Sequence, residues 1–169
     1  MGVTKTPEEE PYMKQSRQES AQTKILLVDD EPDILDILVR VLGSAGYHVD
    51  LASNGQMALD QVAVKDYDLI ITNIRMPVMG GEEFYRRLSS SFPRLSRKVV
   101  FCTGDIANQE TQRFLGSTGA PVIFKPFELR TVLEVVAWQL ARERERLPVH
   151  VPVPTASSNL EASPSTALP

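Results

Sequence analysis

The feature that most constrains the fold of this chain is an alternation of short apolar runs with helical periodicities, five times over. Ile25–Val28, Tyr47–Leu51, the segment opened by Asp68 (Leu69, Ile70, Ile71, Thr72), Val99–Cys102 and Pro121–Phe124 are the apolar runs. Each is too short for a helix and is bounded by turn signals, the pattern of a strand buried on both faces. Between and after them lie Asp33–Ala45, Gly55–Val64, Gly81–Ser91, Asn108–Leu115 and Phe127 to about Arg146, five expected helices. In the first of these, Ile34, Leu35, Ile37, Leu38, Val41 and Leu42 recur at a spacing near 3.6. β–α units in series predict a parallel sheet covered by helices on both sides, with right-handed crossovers.

Local chemistry supports the boundaries. Pro32 suits a first helical turn, where its missing N–H does no harm. Gly43 and Gly46 bracket the end of that helix, and Ser53 or Asn54 is placed to cap the next. Pro93 stops the third. The last helix carries Leu129, Val132, Leu133, Val136 and Leu140 on one stripe, facing the sheet. Trp138 lies off that stripe, either half-buried against a neighbour or exposed as an anchor for a partner. The Arg–Glu alternation from Arg142 to Arg146 reads as a solvated helix end.

Both ends of the chain differ from its middle. Residues 1–23 are polar and aperiodic, and residues 147–169 hold five prolines among Ser, Thr and Ala; both are expected to be disordered tails. The domain is therefore expected over 24–146, where 15 basic and 17 acidic residues leave a net charge of −2. That charge argues against nucleic-acid binding. Cys102 is the only cysteine, so there is no internal disulfide or multi-thiolate zinc site, and a core thiol is expected. His48 and His150 are far apart and point to no metal site. No apolar stretch approaches the roughly 20 residues of a membrane span, and Glu8–Glu10 stand where a secretory signal would need apolar residues. A cytoplasmic protein with no membrane contact is expected.

If the strands are parallel, their ends gather at one edge of the sheet, where open α/β folds bind ligands. The first strand ends in Asp29-Asp30-Glu31, the third in Asn73, the fourth in Thr103-Gly104 and the fifth in Lys125-Pro126. Two carboxylates, an amide, a hydroxyl and an ammonium group make a hard oxygen site for Mg²⁺, with donors for a phosphoryl group.

The acidic pair, the segment DLIITNIRMPVMGG, Thr103 and Lys125-Pro126 together resemble the receiver domain of two-component response regulators, across Lys24 to Arg146. The resemblance implies a flavodoxin-like, doubly wound α/β fold: a five-stranded parallel sheet in the order 2-1-3-4-5 with five helices. It also implies roles. Asp29, Asp30, the side chain of Asn73 and the backbone carbonyl of Arg75 would hold Mg²⁺. Lys125 would pair with phosphoryl oxygens, and Thr103 would bond the phosphoryl group and move with it. Gly104 stands where a small residue lets the group approach. The partner implied is a histidine kinase or another phosphorelay protein. A partner or a second copy of the chain would dock on the face made by the Asn108–Leu115 helix, the fifth strand and the last helix.

Two residues depart from the family pattern. Asn73 occupies the phosphoacceptor position, where the family has aspartate; a carboxamide oxygen is neutral and a poor nucleophile, so no phosphoryl transfer to it is expected. Mg²⁺ binding should be weakened by the lost charge, while repulsion among carboxylates is relieved. Val122 stands where receivers carry a switch aromatic, three residues before the lysine. The expected function is a stand-alone, non-enzymatic receiver-like module, a pseudo-receiver acting through protein–protein contact. The alternative is a phosphoaccepting regulator in which Asn73 replaces the acceptor. A more remote one is a small phosphatase or phosphotransferase using Asp29 as nucleophile. Among plainer roles, Asp29 and Asp30 could favour the following helix dipole, Lys125 could be an ion-pair partner of Asp30, Thr103 could cap the next turn, and Asn73 could be a simple turn former.

Overall fold

The computed structural model describes residues 22–146. The expected tails lie outside them, except for Gln22 and Thr23. These two residues are fixed to the sheet: Gln22 Nε2 donates to the Gly46 carbonyl at 3.0 Å, and His48 N donates to the Thr23 carbonyl at 2.9 Å. The described residues therefore begin two positions before the expected boundary.

Five strands, β1 (Lys24–Val28), β2 (His48–Ala52), β3 (Leu69–Asn73), β4 (Val99–Thr103) and β5 (Val122–Phe124), form one sheet in the order β2-β1-β3-β4-β5. All four pairings are parallel. The helices are α1 (Pro32–Ser44), α2 (Gly55–Val62), α3 (Gly81–Ser91), α4 (Pro93–Ser96), α5 (Gln109–Thr118) and α6 (Leu129–Arg146). Six helices stand among the described residues where five were expected. The additional one, α4, is a single turn in which Leu95 N and Ser96 N donate to the Phe92 carbonyl. Four residues cannot display a periodicity, so the sequence hides it.

Side-chain alternation along the central strands divides the interior into two cores. Ile25 and Leu27 of β1 join Leu69 and Ile71 of β3 beneath α1 and α6, with Leu38, Leu42, Val132 and Val136. Leu26 and Val28 join Ile70 and Phe101 on the opposite side, beneath α2, α3 and α5, with Ala58, Phe84, Leu88 and Phe114. Successive side chains of a strand point to opposite faces, so a continuous apolar run serves both cores at once. A ring cluster of Tyr85, Phe101 and Phe114, with centroids 5.3–5.8 Å apart, closes the second core.

The helix ends follow the local chemistry. α1 opens on Pro32, and Gly46 beyond its end adopts φ +91°, a left-handed conformation that costs glycine little. Gly43 lies just inside that end, so the two glycines bracket it. Of the two candidate caps for α2, Asn54 does the work: its Oδ1 accepts from Met57 N at 3.0 Å. On α6, Val132, Val136 and Leu140 are buried as expected, but Leu129 is exposed, and Gln139 is buried in line with them. Trp138 is 55% exposed, with the Arg142 guanidinium 5.2 Å from its ring centroid. The ring is therefore exposed and not half-buried.

Candidate functional site

The strand tips converge. Asp30, Glu31, Asn73, Arg75, Thr103, Gly104, Asp105 and Lys125 line one hollow of about 470 Å³ at the C-terminal edge of the sheet. Asp29 lies just behind them, 2% exposed, carried one step past β1 by a bond from its N–H to the Ala52 carbonyl at 3.1 Å. Its Oδ1 accepts from Glu31 N at 3.0 Å, turning the chain into α1. Its Oδ2 accepts from Lys125 Nζ at 2.8 Å.

Lys125 is positioned by β5, which ends beside β4: its backbone N–H donates to the Thr103 carbonyl at 2.8 Å. The peptide bond from Lys125 to Pro126 is cis. With its side chain only 15% exposed, Lys125 bridges Asp29 and Glu31, both at 2.8 Å. Its expected partner was Asp30; the structure corrects this, because the Asp30 carboxylate turns toward Asn73 instead. Burial works against the ammonium charge, but the hydrogen bonds and charges of Asp29 and Glu31 outweigh it and hold Lys125 above its ordinary value. Glu31 stands in the acidic strand end but is given no role by the sequence. A third acidic residue beside a helix start looks like an ordinary first-turn charge, and only the fold shows that it reaches the lysine.

Asn73 is the last residue of β3 and 7% exposed. Its Nδ2 group donates to the Arg75 carbonyl at 2.9 Å, to Asp30 Oδ1 at 3.2 Å and to Asp29 Oδ1 at 3.4 Å. The loop behind it is packed backbone to backbone. Gly81 N donates to the Ile74 carbonyl at 2.9 Å, and a Cβ at Gly81 would strike the Asn73 carbonyl oxygen. Glycine is required there by close approach. In the same loop Val78, exposed, holds φ +67°. A β-branched residue in that region is strained.

Thr103 is buried, and its hydroxyl accepts from Asp105 N at 3.1 Å, so it caps the turn after β4. At Gly104 an added Cβ would meet only Lys125 Cβ at 3.7 Å, an ordinary contact, so an alanine would fit. Arg75 contributes more than its carbonyl. Its guanidinium grips Asp105 through Nε at 2.8 Å and Nη2 at 2.7 Å, and Asp105 also accepts from Thr111 Oγ1 at 2.9 Å. The bonds from Arg75 and Thr111 hold the Asp105 carboxyl below its ordinary value. The loop after β3 is thereby tied to the loop after β4 and to α5. Val122 packs against the core beside Phe101 and Phe114, while Phe124, two residues on, is 48% exposed. Phe124 therefore does not fill the inward position. Cys102 is a buried free thiol whose burial pushes its pKa up to about 12, as expected of a core cysteine.

The donor set fits a magnesium ion. Among the described residues no three His, Cys, Asp or Glu side chains gather as a metal cluster. However, two carboxylate oxygens and one carbonyl oxygen converge on a single point, now held by Asn73 Nδ2. Hard oxygens in that number, with water completing the shell, are what Mg²⁺ accepts.

Comparison with known proteins gives the same frame. A family model described as "Response regulator receiver domain" matches residues 25–137. The chain is 35% identical over 113 residues to the response regulator receiver protein CpdR of Brucella abortus, covering 67% of this chain and 92% of that protein. It spans only 55% of the nisin biosynthesis regulatory protein NisR of Lactococcus lactis, with which it is 30% identical over 129 residues. Among solved structures, a CheY-like receiver domain protein from Methanospirillum hungatei superposes with a TM-score of 0.68 at 28% identity, covering 74% of this chain and 98% of that one. The response regulator TrrA of Thermotoga maritima, solved in complex with Mg²⁺-BeF, gives a TM-score of 0.61 at 31% identity, covering 70% and 99%. With its sheet order, its strand-tip residues and a family match across most of its length, the chain belongs to the response regulator receiver domain family.

Proposed function

We propose that this receiver domain is a signalling module of a two-component phosphorelay that works through protein–protein contact and does not take a phosphoryl group on Asn73. The observation that carries the proposal is the state of the Asn73 side chain. It is a neutral amide whose nitrogen is engaged by three oxygens. Attack on phosphorus needs an electron-rich oxygen, and no charge placed by Lys125 or by a metal gives a carboxamide that character. Asp29, Asp30 and the Arg75 carbonyl are the groups that would hold Mg²⁺, more weakly than in a receiver with a third carboxylate, because Asn73 presents its amide nitrogen to them. When bound, the ion neutralises charge on phosphoryl oxygens. Lys125 and Thr103 are the residues that would receive those oxygens. A cytoplasmic site of action and a histidine kinase or phosphorelay protein as partner belong to this reading and are supported by the family match.

The alternative, a receiver competent in all but its acceptor, draws support from the assembled hollow. Lys125, Thr103 and the acidic pair stand together around Asn73. A phosphatase using Asp29 has no such support, since both oxygens of that residue are already bonded and it is almost fully buried. The test is incubation with Mg²⁺ and acetyl phosphate, followed by intact mass and peptide mapping, on this chain and on Asn73→Asp. No label on this chain is expected. A phosphoryl group in the peptide containing Asn73 of the unaltered chain would overturn the proposal, and label on Asn73→Asp alone would show that only the nucleophile is missing.

A further inference from the structure

The three oxygens that the receiver reading assigns to a cation already share an occupant, the Nδ2 group of Asn73. Its two N–H bonds are divided among three acceptors, and the distances rank them: the Arg75 carbonyl at 2.9 Å, Asp30 at 3.2 Å and Asp29 at 3.4 Å. The remaining oxygen of Asp29 is neutralised by Lys125. An amide nitrogen carries partial positive hydrogens, so it meets acceptors in the sense a cation would, without its charge. The amide oxygen occupies the other corner of the group. For Asn73 to offer oxygen to a metal, the amide must rotate by about half a turn around its terminal torsion, a broad and roughly two-fold one. Rotation abandons every one of these bonds.

We propose that the Asn73 carboxamide is an internal substitute for the divalent cation, so that Mg²⁺ enters only by displacing it. The inference rests on the receiver reading of the hollow and gives that site a regulation of its own. An aspartate at this position recruits the metal; the asparagine competes with it. The loops around the hollow then keep one arrangement with or without Mg²⁺. The Arg75 carbonyl holds the loop after β3 to the amide, and the Asp29 and Asp30 carboxylates hold the loop after β1. A partner that recognises those loops meets a constant surface.

Mg²⁺ titration of this chain, Asn73→Ala and Asn73→Asp by calorimetry separates the possibilities. Alanine supplies no ligand and also no competitor. If the amide is the occupant, Asn73→Ala binds Mg²⁺ about 5–30-fold more tightly than the unaltered chain, the equivalent of one or two ordinary net hydrogen bonds. Equal or tighter binding by the unaltered chain would overturn the proposal, because the amide oxygen would then be acting as a ligand. Tight binding by Asn73→Asp in that same result keeps the receiver reading standing, whereas no binding by any of the three removes the cation site itself and the proposal with it. A second measurement needs no variant. In metal-free protein the Asn73 side-chain N–H protons should exchange with solvent at least about tenfold more slowly than those of the exposed Gln109. Exchange as fast as that of Gln109 would refute the occupancy.

Discussion

Replacing Asn73 by aspartate in the absence of metal should destabilise the domain, by an amount the geometry bounds. The substitution puts an anionic oxygen where Nδ2 now stands, 3.2 Å from Asp30 Oδ1 and 3.4 Å from Asp29 Oδ1. At an effective dielectric constant near 20, one such pair of like charges repels by about 5 kcal/mol; fully in water it would be about 1 kcal/mol. Lys125 already divides its charge between Asp29 and Glu31, so it offers little additional relief. A ceiling comes from protonation. A carboxyl with an unfolded pKa near 3.9 can stay neutral at pH 7 for about 4 kcal/mol, so repulsion cannot exceed that figure. The expected loss at pH 7 in EDTA is therefore about 2–4 kcal/mol, a fall of about 1–2 M in urea midpoint for a slope near 2 kcal/mol/M. The sign with pH is fixed too. Like charges raise the folded pKa of the new carboxyl, so the deficit grows as pH rises above the unfolded value and vanishes as pH falls below it. Saturating Mg²⁺ should recover most of the loss. Urea melts in EDTA at pH 7 and at pH 4, with and without the substitution, test this. An Asn73→Asp protein as stable as the unaltered chain at pH 7 without metal would refute the electrostatic reasoning.

Three further outcomes follow from the same geometry. Gly81→Ala should lose about 1–3 kcal/mol in chemical denaturation, because its Cβ strikes the Asn73 carbonyl oxygen and that backbone cannot step aside; a neutral result would mean the loop after β3 gives freely. Val78→Asn should gain about 1 kcal/mol, since asparagine tolerates the left-handed φ of +67° that valine resists; no gain in midpoint would indicate that the loop relaxes around valine. At β2, the bond from Lys65 first, then the bond from Tyr67 and the charges of Lys65 and His48, hold Asp50 below its ordinary value against the opposing effect of burial. A depressed carboxylate contributes stability above its unfolded pKa and loses it as pH falls through the folded value. Asp50→Asn should thus cost about 1–2 kcal/mol at pH 7 and progressively less as pH falls below the unfolded value, and a pH-independent difference would contradict the ion-pair account.

The parts of this architecture legible in the sequence are those fixed by local rules. β1 and β3 are visible because a strand serving two cores must be apolar without interruption, and α1 because its apolar spacing and Pro32 agree. The convergence of Asp29, Asp30, Asn73, Arg75, Thr103 and Lys125 follows once the strands are parallel. Other features depend on where a long side chain ends. Glu31 and Asp105 carry no local signal, yet one holds Lys125 and the other holds Arg75. Lys125 selects Asp29 over Asp30 because Asp30 faces the amide. The orientation of that amide depends on three acceptors drawn from two loops, which no spacing encodes. Leu129 lies on the apolar stripe of α6 but is its first residue, and it remains exposed.

None of Asp29, Asp30, Asn73, Thr103 or Lys125 belongs to either apolar cluster. The two cores end where the reactive groups begin. Architecture and reactivity are therefore separable properties of this scaffold. An acid-to-amide exchange at one strand tip touches neither apolar core, so the same outline is expected with either residue there. A fold so divided can retire its chemistry and still offer its neighbours the same outline.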